Sequence, residues 1–378
     1  MAYESERLLE LDVLRAVSII GVILIHIIGS SLHFWREGST VWTVFISIDQ
    51  FFRFSVPLFV FISGFFLYSK YASSFKYWEF YSRRIARVIP WYVVWSLIIY
   101  IYINLTVAPG FVNYPTWKLI FLGKVDYHLY FVSMIFQLYL LFPVLLWLYK
   151  KFRSNLVIAL FIFEVILYLI FSLDGQKLIH LPWRFYEQQQ YLFFGTWVFY
   201  FVLGFVLSDR RSLSAIKHSF PLSKFILFFV TLAILAYSIY DSLHLVSSTA
   251  DTNVATRSTR IPVLLYSTSF LISAHIYSEL FLKINKYLLK ILLYFAKISY
   301  LVYLIHALIM RILGNFILPN SLVNLIIFTT LVFSLSIFFA QLSLSTASII
   351  PLHKLNNIRN FISKKTESSH RRIKPDRF

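Results

Sequence analysis

The sequence contains no cysteine and only ten glycines among its 378 residues. The absence of cysteine excludes disulfides, thiol nucleophiles, thiolate zinc sites and iron–sulfur clusters. No two glycines are separated by a single residue, and no glycine-rich stretch matches a phosphate-binding loop. The chain therefore carries neither a dinucleotide-binding fingerprint nor a P-loop.

Charged residues are also scarce, because they make up 14% of the chain against about 25% in soluble domains. Apolar residues make up 59%, and the mean hydropathy is +0.72. This composition excludes an ordinary soluble globular protein. It predicts an all-α, polytopic bundle of helices embedded in a membrane.

Long apolar runs of about 20 residues are what a helix needs to cross a bilayer. Ten such runs are present, and we expect a membrane helix in each, with boundaries good to a few residues. They lie at about 9–31, 42–68, 88–108, 128–149, 154–173, 191–208, 223–241, 262–281, 289–313 and 321–349.

The net charge of +18 reflects membrane topology rather than nucleic-acid binding, since the basic residues form short clusters between the apolar runs. Most of them fall in alternate connecting segments, and the positive-inside rule then predicts that both termini are cytoplasmic. We expect one transmembrane domain over 1–352. The remaining segment, 353–378, is predicted to be a basic cytoplasmic tail near anionic lipid.

The first apolar run contains ionisable side chains, which are costly inside a membrane and therefore indicate function. Arg15 and His26 are eleven residues apart, which on a helix is three turns plus about 20°. Both should lie on one face, separated by about 16 Å along the axis. Asp12 is one turn before Arg15 and can pair with it.

This spaced Arg15 and His26 pair, with the stretch LDVLRA before it, resembles a signature of the membrane-bound acyltransferase family 3. Four further stretches resemble that family and follow its order, although Tyr130 stands where the family motif has tryptophan. They are VPLFVFISGFF from Val56, RRIARVIP from Arg83, HLYFV from His128 with YLLFP from Tyr139, and SYLVYLIH from Ser299. The layout is most similar to the branch associated with an intercellular-adhesion polysaccharide.

The resemblance implies that His26 is the catalytic residue, acting as a base or accepting the acyl group itself. A histidine that only hydrogen-bonds between helices is the alternative. Asp49, at a similar depth in the second helix, is a candidate to orient the His26 imidazole. An intrahelical ion pair between Asp49 and Arg53 is the competing interpretation, and Arg53 is otherwise a candidate to contact the acceptor.

The donor implied by the resemblance is a cytoplasmic acyl-coenzyme A (acyl-CoA), acetyl or succinyl. Its phosphates would be held by Arg15, which is also predicted to belong to the catalytic set, and by the cluster of Arg83, Arg84 and Arg87, whose guanidinium groups suit phosphate geometry. The alternative is that the cluster only anchors the topology. Ser63, with Gly64 beside it, would allow close approach of the acyl chain or pantetheine, or serve helix packing.

Two late residues, Tyr303 and His306, and the earlier His128 are expected at the outer side and would line the acceptor site, with Arg311 near the helix end. Structural hydrogen bonding, and interfacial exposure for His128, are the alternatives. We expect no metal, because no two of these histidines have the i, i+4 spacing of a zinc motif. Glu164 and His275 are expected to make hydrogen bonds between helices.

The resemblance therefore implies an O-acyltransferase, which we expect in the bacterial plasma membrane. It would transfer an acyl group from acyl-CoA to a hydroxyl of a cell-envelope or extracellular polysaccharide. Membrane lipid and a membrane glycan synthase are the other expected partners, and nucleic acid is not expected. The rival hypotheses are a polysaccharide exporter or flippase, with the polar residues lining its path, and a scaffold for a glycan synthase.

Overall fold

The computed structural model describes residues 2–106, 115–175, 189–209, 221–249, 251–281 and 283–349. Within these ranges all regular structure is helical. The helices are α1 Ala2–Ser31, α2 Thr40–Phe52, α3 Ser55–Tyr71, α4 Tyr77–Thr106, α5 Thr116–Phe121, α6 Tyr130–Phe152, α7 Ser154–Gly175, α8 Gln189–Leu192, α9 Val198–Ser208, α10 Pro221–Thr249, α11 Thr252–Ala255, α12 Ile261–Ile276, α13 Ser278–Phe281, α14 Lys286–Gly314 and α15 Leu322–Ile349.

The described chain has eight helical segments that are long and apolar enough to cross a membrane, with α2 and α3 counted together. The helices α9 and α12 are apolar but shorter. These ten segments correspond to the ten predicted from hydropathy, and they confirm a polytopic helical membrane protein. The predicted tail at 353–378 lies outside the described residues.

The predicted second helix is interrupted at Arg53, where α2 ends and α3 begins two residues later. The cause lies in the sequence, because Pro57 has no N–H with which to bond the carbonyl oxygen of Arg53 four residues before it. The Arg53 N–H bonds the Gln50 carbonyl in a tighter turn, at 3.2 Å. The interruption therefore places the largely buried side chain of Arg53 between two helices.

The centre of the bundle is built on α1, which packs most extensively against α14 and also against α2 and α3. The other large contact joins α3 to α9. Glycines allow that contact, because a Cβ atom at Gly64 would collide with the backbone oxygen of Phe201, and one at Gly204 with that of Phe61. Such close approach is how membrane helices gain packing energy in a solvent as apolar as their side chains.

The helices α7, α10 and α15 are mostly exposed and present apolar side chains, as helices facing lipid do. By contrast, α1 and the α2–α3 segment are the most buried of the membrane-spanning helices. Arg15, His26, Asp49 and Ser63 are therefore carried by the innermost helices of the bundle.

Candidate active site

Five rings from three separate parts of the chain meet in the interior of the bundle. The rings of His26 on α1 and His306 on α14 are stacked, with centroids 5.4 Å apart. Tyr127 meets His26 edge-on at 4.9 Å, and His128 meets His306 at 5.1 Å. Tyr303 lies 5.5 Å from His128. We call these five residues the histidine cluster.

An ion pair holds the segment that carries Tyr127 and His128. Arg311 donates to both oxygens of the Asp126 carboxylate, with Nη2 to Oδ1 at 2.5 Å and Nε to Oδ2 at 3.0 Å. The N–H of Tyr127 also donates to Oδ1, at 2.8 Å. The Asp126 side chain is fully buried, so this two-pronged bond supplies the partner that a buried carboxylate needs.

Sequence analysis did not identify Asp126. The sequence feature that could have indicated it is its position, two residues before His128 and at the start of an apolar run. Its partner is 185 residues away in the chain, on a different helix, so spacing alone did not connect the two.

His128 is buried, with 1% of its surface exposed, so the interfacial exposure considered for it is wrong. Its backbone oxygen accepts from the Tyr303 hydroxyl, and its Nε2 lies 3.4 Å from the Leu304 carbonyl oxygen. His128 precedes the membrane-spanning part of α6. Burial, together with the neighbouring His306, lowers its pKa well below the ordinary value, so the ring is neutral at neutral pH.

Asp49 is engaged with Arg53 rather than with His26. Its two oxygens accept from Arg53 at 2.6 and 2.8 Å, and the Gln50 amide donates to it at 3.1 Å. Gln50 in turn accepts from Ser238 at 3.0 Å. The structure therefore has the intrahelical ion pair. It does not have the contact with the His26 imidazole that was the other prediction for Asp49, because both carboxylate oxygens are bonded to Arg53. Arg53 also donates to Ser258, at 3.2 Å.

Arg15 pairs with Asp12 at 2.7 Å, as the spacing predicts, and its guanidinium lies over the Phe66 ring at 5.1 Å. It lines a cavity of about 150 Å³, the Arg15 cavity, together with Ser63 and Tyr303. Ser63 therefore faces this cavity, whereas the neighbouring Gly64 packs against α9.

The three arginines at the start of α4 do not act as one group. Arg83 pairs with Glu79 at 2.5 Å. Arg84 lies over the ring of Tyr139, which also lines the Arg15 cavity, at 5.4 Å, and its buried Nε has no hydrogen-bond partner among the described residues. Arg87 is exposed and close enough to Arg15 for its charge to act there. The structure thus connects Arg84, through Tyr139, and Arg87 with Arg15, whereas Arg83 is paired with Glu79.

A second cavity of about 320 Å³, the Arg311 pocket, lies on the other side of the histidine cluster. It is lined by His33, Tyr127 and Arg311 among others. Along α14 the Arg15 cavity is lined by Ser299, Tyr300 and Tyr303, and the Arg311 pocket by residues from Ala307 to Gly314. The predicted acceptor set is therefore divided, because Tyr303 and Arg311 line different cavities and His306 lies between them.

Two other buried polar residues lie away from this site. Glu164 accepts from the N–H of Phe199 at 3.4 Å, and the ring of His275 lies 6.1 Å from that of Phe65. Over the described ranges, no group of three His, Asp or Glu side chains is arranged to hold a metal ion.

The site lies within a region that matches a known family. Residues 8–344 match the profile of the acyltransferase domain family called acyltransferase 3. No curated protein and no solved structure shows significant similarity to the chain. The matched region contains all five residues of the histidine cluster, both cavities and every arginine discussed above. Because the match covers most of the 378 residues, the chain belongs to the membrane acyltransferase 3 family.

Proposed function

We propose that the protein is an O-acyltransferase that moves an acetyl or succinyl group from cytoplasmic acyl-CoA to a hydroxyl of a cell-envelope or extracellular polysaccharide. The observation that carries this proposal is the placement of two cavities on opposite sides of the histidine cluster. A donor and an acceptor that approach from opposite sides of a membrane would meet there. The predicted topology assigns the Arg15 cavity to the cytoplasmic side.

The Arg15 cavity and the arginines near it are suited to a donor that has several phosphates and an extended pantetheine chain. Arg15, Arg84 and Arg87 place guanidinium groups at the Arg15 cavity or beside it, and such groups bind phosphates strongly. From Arg15 to His26 is about 16 Å along α1, a distance that an extended pantetheine arm would cover. A cavity of about 150 Å³ is the size known to hold a benzene ring, which favours a small acyl group.

The acceptor side is suited to a hydroxyl-bearing ring. The Arg311 pocket is larger, and Tyr127, whose ring borders it, also contacts His26. An aromatic face and a polar tip are what saccharide recognition uses. His26 is half-buried and touches Tyr127, which lines the pocket, and it would either take the hydroxyl proton or accept the acyl group. The bacterial plasma membrane, its lipid and a membrane glycan synthase complete the proposed setting.

The test is release of free coenzyme A by purified protein from acetyl-CoA or succinyl-CoA, with and without oligosaccharide acceptors, followed with a thiol reagent. Because the protein has no cysteine, it contributes no background signal. We expect release that depends on acceptor and on His26, so that His26→Ala abolishes it. The matched control is His244→Ala, an exposed histidine on α10 away from both cavities.

Two results would contradict the proposal. If folded protein binds oligosaccharide but releases no coenzyme A from either donor, the acyltransferase proposal is wrong and the exporter hypothesis gains. If it releases coenzyme A equally well after His26→Ala, the assignment of the catalytic residue is wrong.

A further inference from the structure

His306 occupies the boundary between the two cavities. Its side chain has no exposed surface. One turn before it, Tyr303 lines the Arg15 cavity, and the next residue, Ala307, lines the Arg311 pocket. An acyl group from one cavity and a hydroxyl from the other would therefore meet beside this ring, at its stack with His26.

The hydrogen bonds of His306 fix which of its nitrogens carries the proton. Nδ1 lies 2.7 Å from the Tyr303 carbonyl oxygen and 3.3 Å from that of Val302. A carbonyl oxygen only accepts, so Nδ1 must be the N–H donor. The neutral ring then has a lone pair and no proton on Nε2. Nδ1 thus donates its hydrogen bond within α14, and Nε2 is the nitrogen that can accept a proton.

Nε2 of His306 is buried and has no hydrogen-bond partner among the described residues. An unpartnered buried acceptor is expensive, and a catalytic role is one of the reasons for which a native structure retains one. Nε2 is also the ring nitrogen farther from the α14 backbone. The rings packed against His306 are those of His26, His128 and Tyr303, so its surroundings are the cluster itself.

We infer that His306 is the proton acceptor of the transfer, an inference that rests on the proposed function. In the step that forms the ester, the acceptor O–H proton goes to His306 Nε2 and the hydroxyl oxygen bonds to the acyl carbon. The bond from that carbon to the coenzyme A sulfur breaks, and the electron pair leaves with the sulfur. The thiolate then takes the proton back from His306, which restores the neutral ring.

This assignment separates the roles of the two stacked histidines. Two roles are open to His26 in the proposed function, proton acceptor and acyl acceptor. The present assignment gives the first to His306, which is fully buried with a fixed proton arrangement, and keeps the half-buried His26 in contact with the reacting groups. A base with a preset free lone pair needs no rearrangement before it accepts a proton. His128 also has a buried nitrogen without a hydrogen-bond partner, Nδ1, so position distinguishes the two: the ring of His306 stacks on His26, and that of His128 is not among the rings packed against it.

The test compares the pH dependence of kcat for wild type and His306→Asn, with His244→Ala as the matched control. The asparagine amide can still donate to the Tyr303 carbonyl in place of Nδ1, but it has nothing in place of Nε2. His306→Gln is the second variant, in case the first does not fold. Acyl-CoA affinity and thermal unfolding are measured for each protein.

We expect His306→Asn to lower kcat by about 10²-fold to 10⁴-fold, with the dissociation constant for acyl-CoA changed less than about twofold. Its kcat should rise about tenfold per pH unit at alkaline pH, because hydroxide replaces the missing base, whereas wild type levels off. A variant with the wild-type pH profile merely scaled down, a kcat above half of wild type, or a matching loss of acyl-CoA binding would overturn the inference. No turnover by wild type would overturn the proposed function as well.

Discussion

The imidazole of His26 stacks on that of His306 at a centroid distance of 5.4 Å, although the two residues lie on the first and the fourteenth helices of the described chain. The stack is possible because α1 and α14 run side by side in the same direction. Arg15 shares a cavity with Tyr303 at one end of the pair, and Ser30 shares a pocket with Arg311 at the other. The pair of helices α1 and α14 therefore lines both cavities and carries the two stacked rings between them.

Substitution of His26 separates catalysis from folding. The ring is half-buried and contacts the rings of Tyr127 and His306, so its removal leaves a modest gap. We expect His26→Ala to lower coenzyme A release at least about 100-fold while the thermal unfolding midpoint falls by less than about 4 °C. Release and unfolding are measured on the same preparation. A variant that loses activity only in proportion to its folded fraction would contradict a catalytic role.

The arginines at the start of α4 should differ in their effect on donor binding. Arg84 lies beside the Arg15 cavity with a free buried nitrogen, whereas Arg83 is exposed and paired with Glu79. We expect Arg84→Ala to raise the KM for acyl-CoA about tenfold, about 1.4 kcal/mol, and Arg83→Ala to raise it less than about twofold. Equal effects of the two substitutions would mean that α4 contributes only general positive charge.

Loss of Arg311 should destabilise the protein because it leaves the buried Asp126 carboxylate without its partner. We expect Arg311→Gln to lower the free energy of unfolding by about 3–5 kcal/mol. Adding Asp126→Asn should recover part of that loss, since the unpaired charge is then removed. Arg36→Gln, at an exposed position, is the control and should change stability by less than about 0.5 kcal/mol. Strictly additive losses in the double variant would rule out the ion pair as the cause.

Two glycine substitutions offer a matched test of helix packing. A Cβ at Gly64 would collide with the Phe201 backbone oxygen, whereas at Gly29 it would meet nothing within 4 Å. We expect Gly64→Ala to cost about 1–3 kcal/mol of stability. Gly29→Ala should be neutral or stabilising by up to about 1 kcal/mol, because alanine favours the helix. If Gly64→Ala unfolds at the same denaturant concentration as wild type, α3 and α9 are not in close contact.

The helices could be predicted from sequence because apolar length determines membrane spans almost by itself. The break at Arg53 could also have been inferred, since Pro57 in the sequence removes one backbone hydrogen bond. Helical spacing predicted the ion pair of Asp12 with Arg15, and it offered that of Asp49 with Arg53 as one of two alternatives. The break and the two ion pairs each involve residues at most four positions apart, so helix geometry alone was enough to suggest them.

The contacts between distant parts of the chain could not be predicted in the same way. Sequence analysis expected His306 and His128 at the outer side of the membrane, but it gave no information on which helices are neighbours. Asp126 was missed because its partner is on another helix, and the burial of His128 also depends on packing between distant segments. The division of Tyr303 and Arg311 between two cavities likewise depends on packing.

The ring layer between the two cavities also has a consequence for the integrity of the membrane. Rings in contact at about 5 to 6 Å between centroids leave no space for a hydrated ion. An enzyme working through this layer would let a small acyl group cross from one side to the other while it remains an electrical insulator. The cell could then modify material outside its membrane without dissipating its proton gradient.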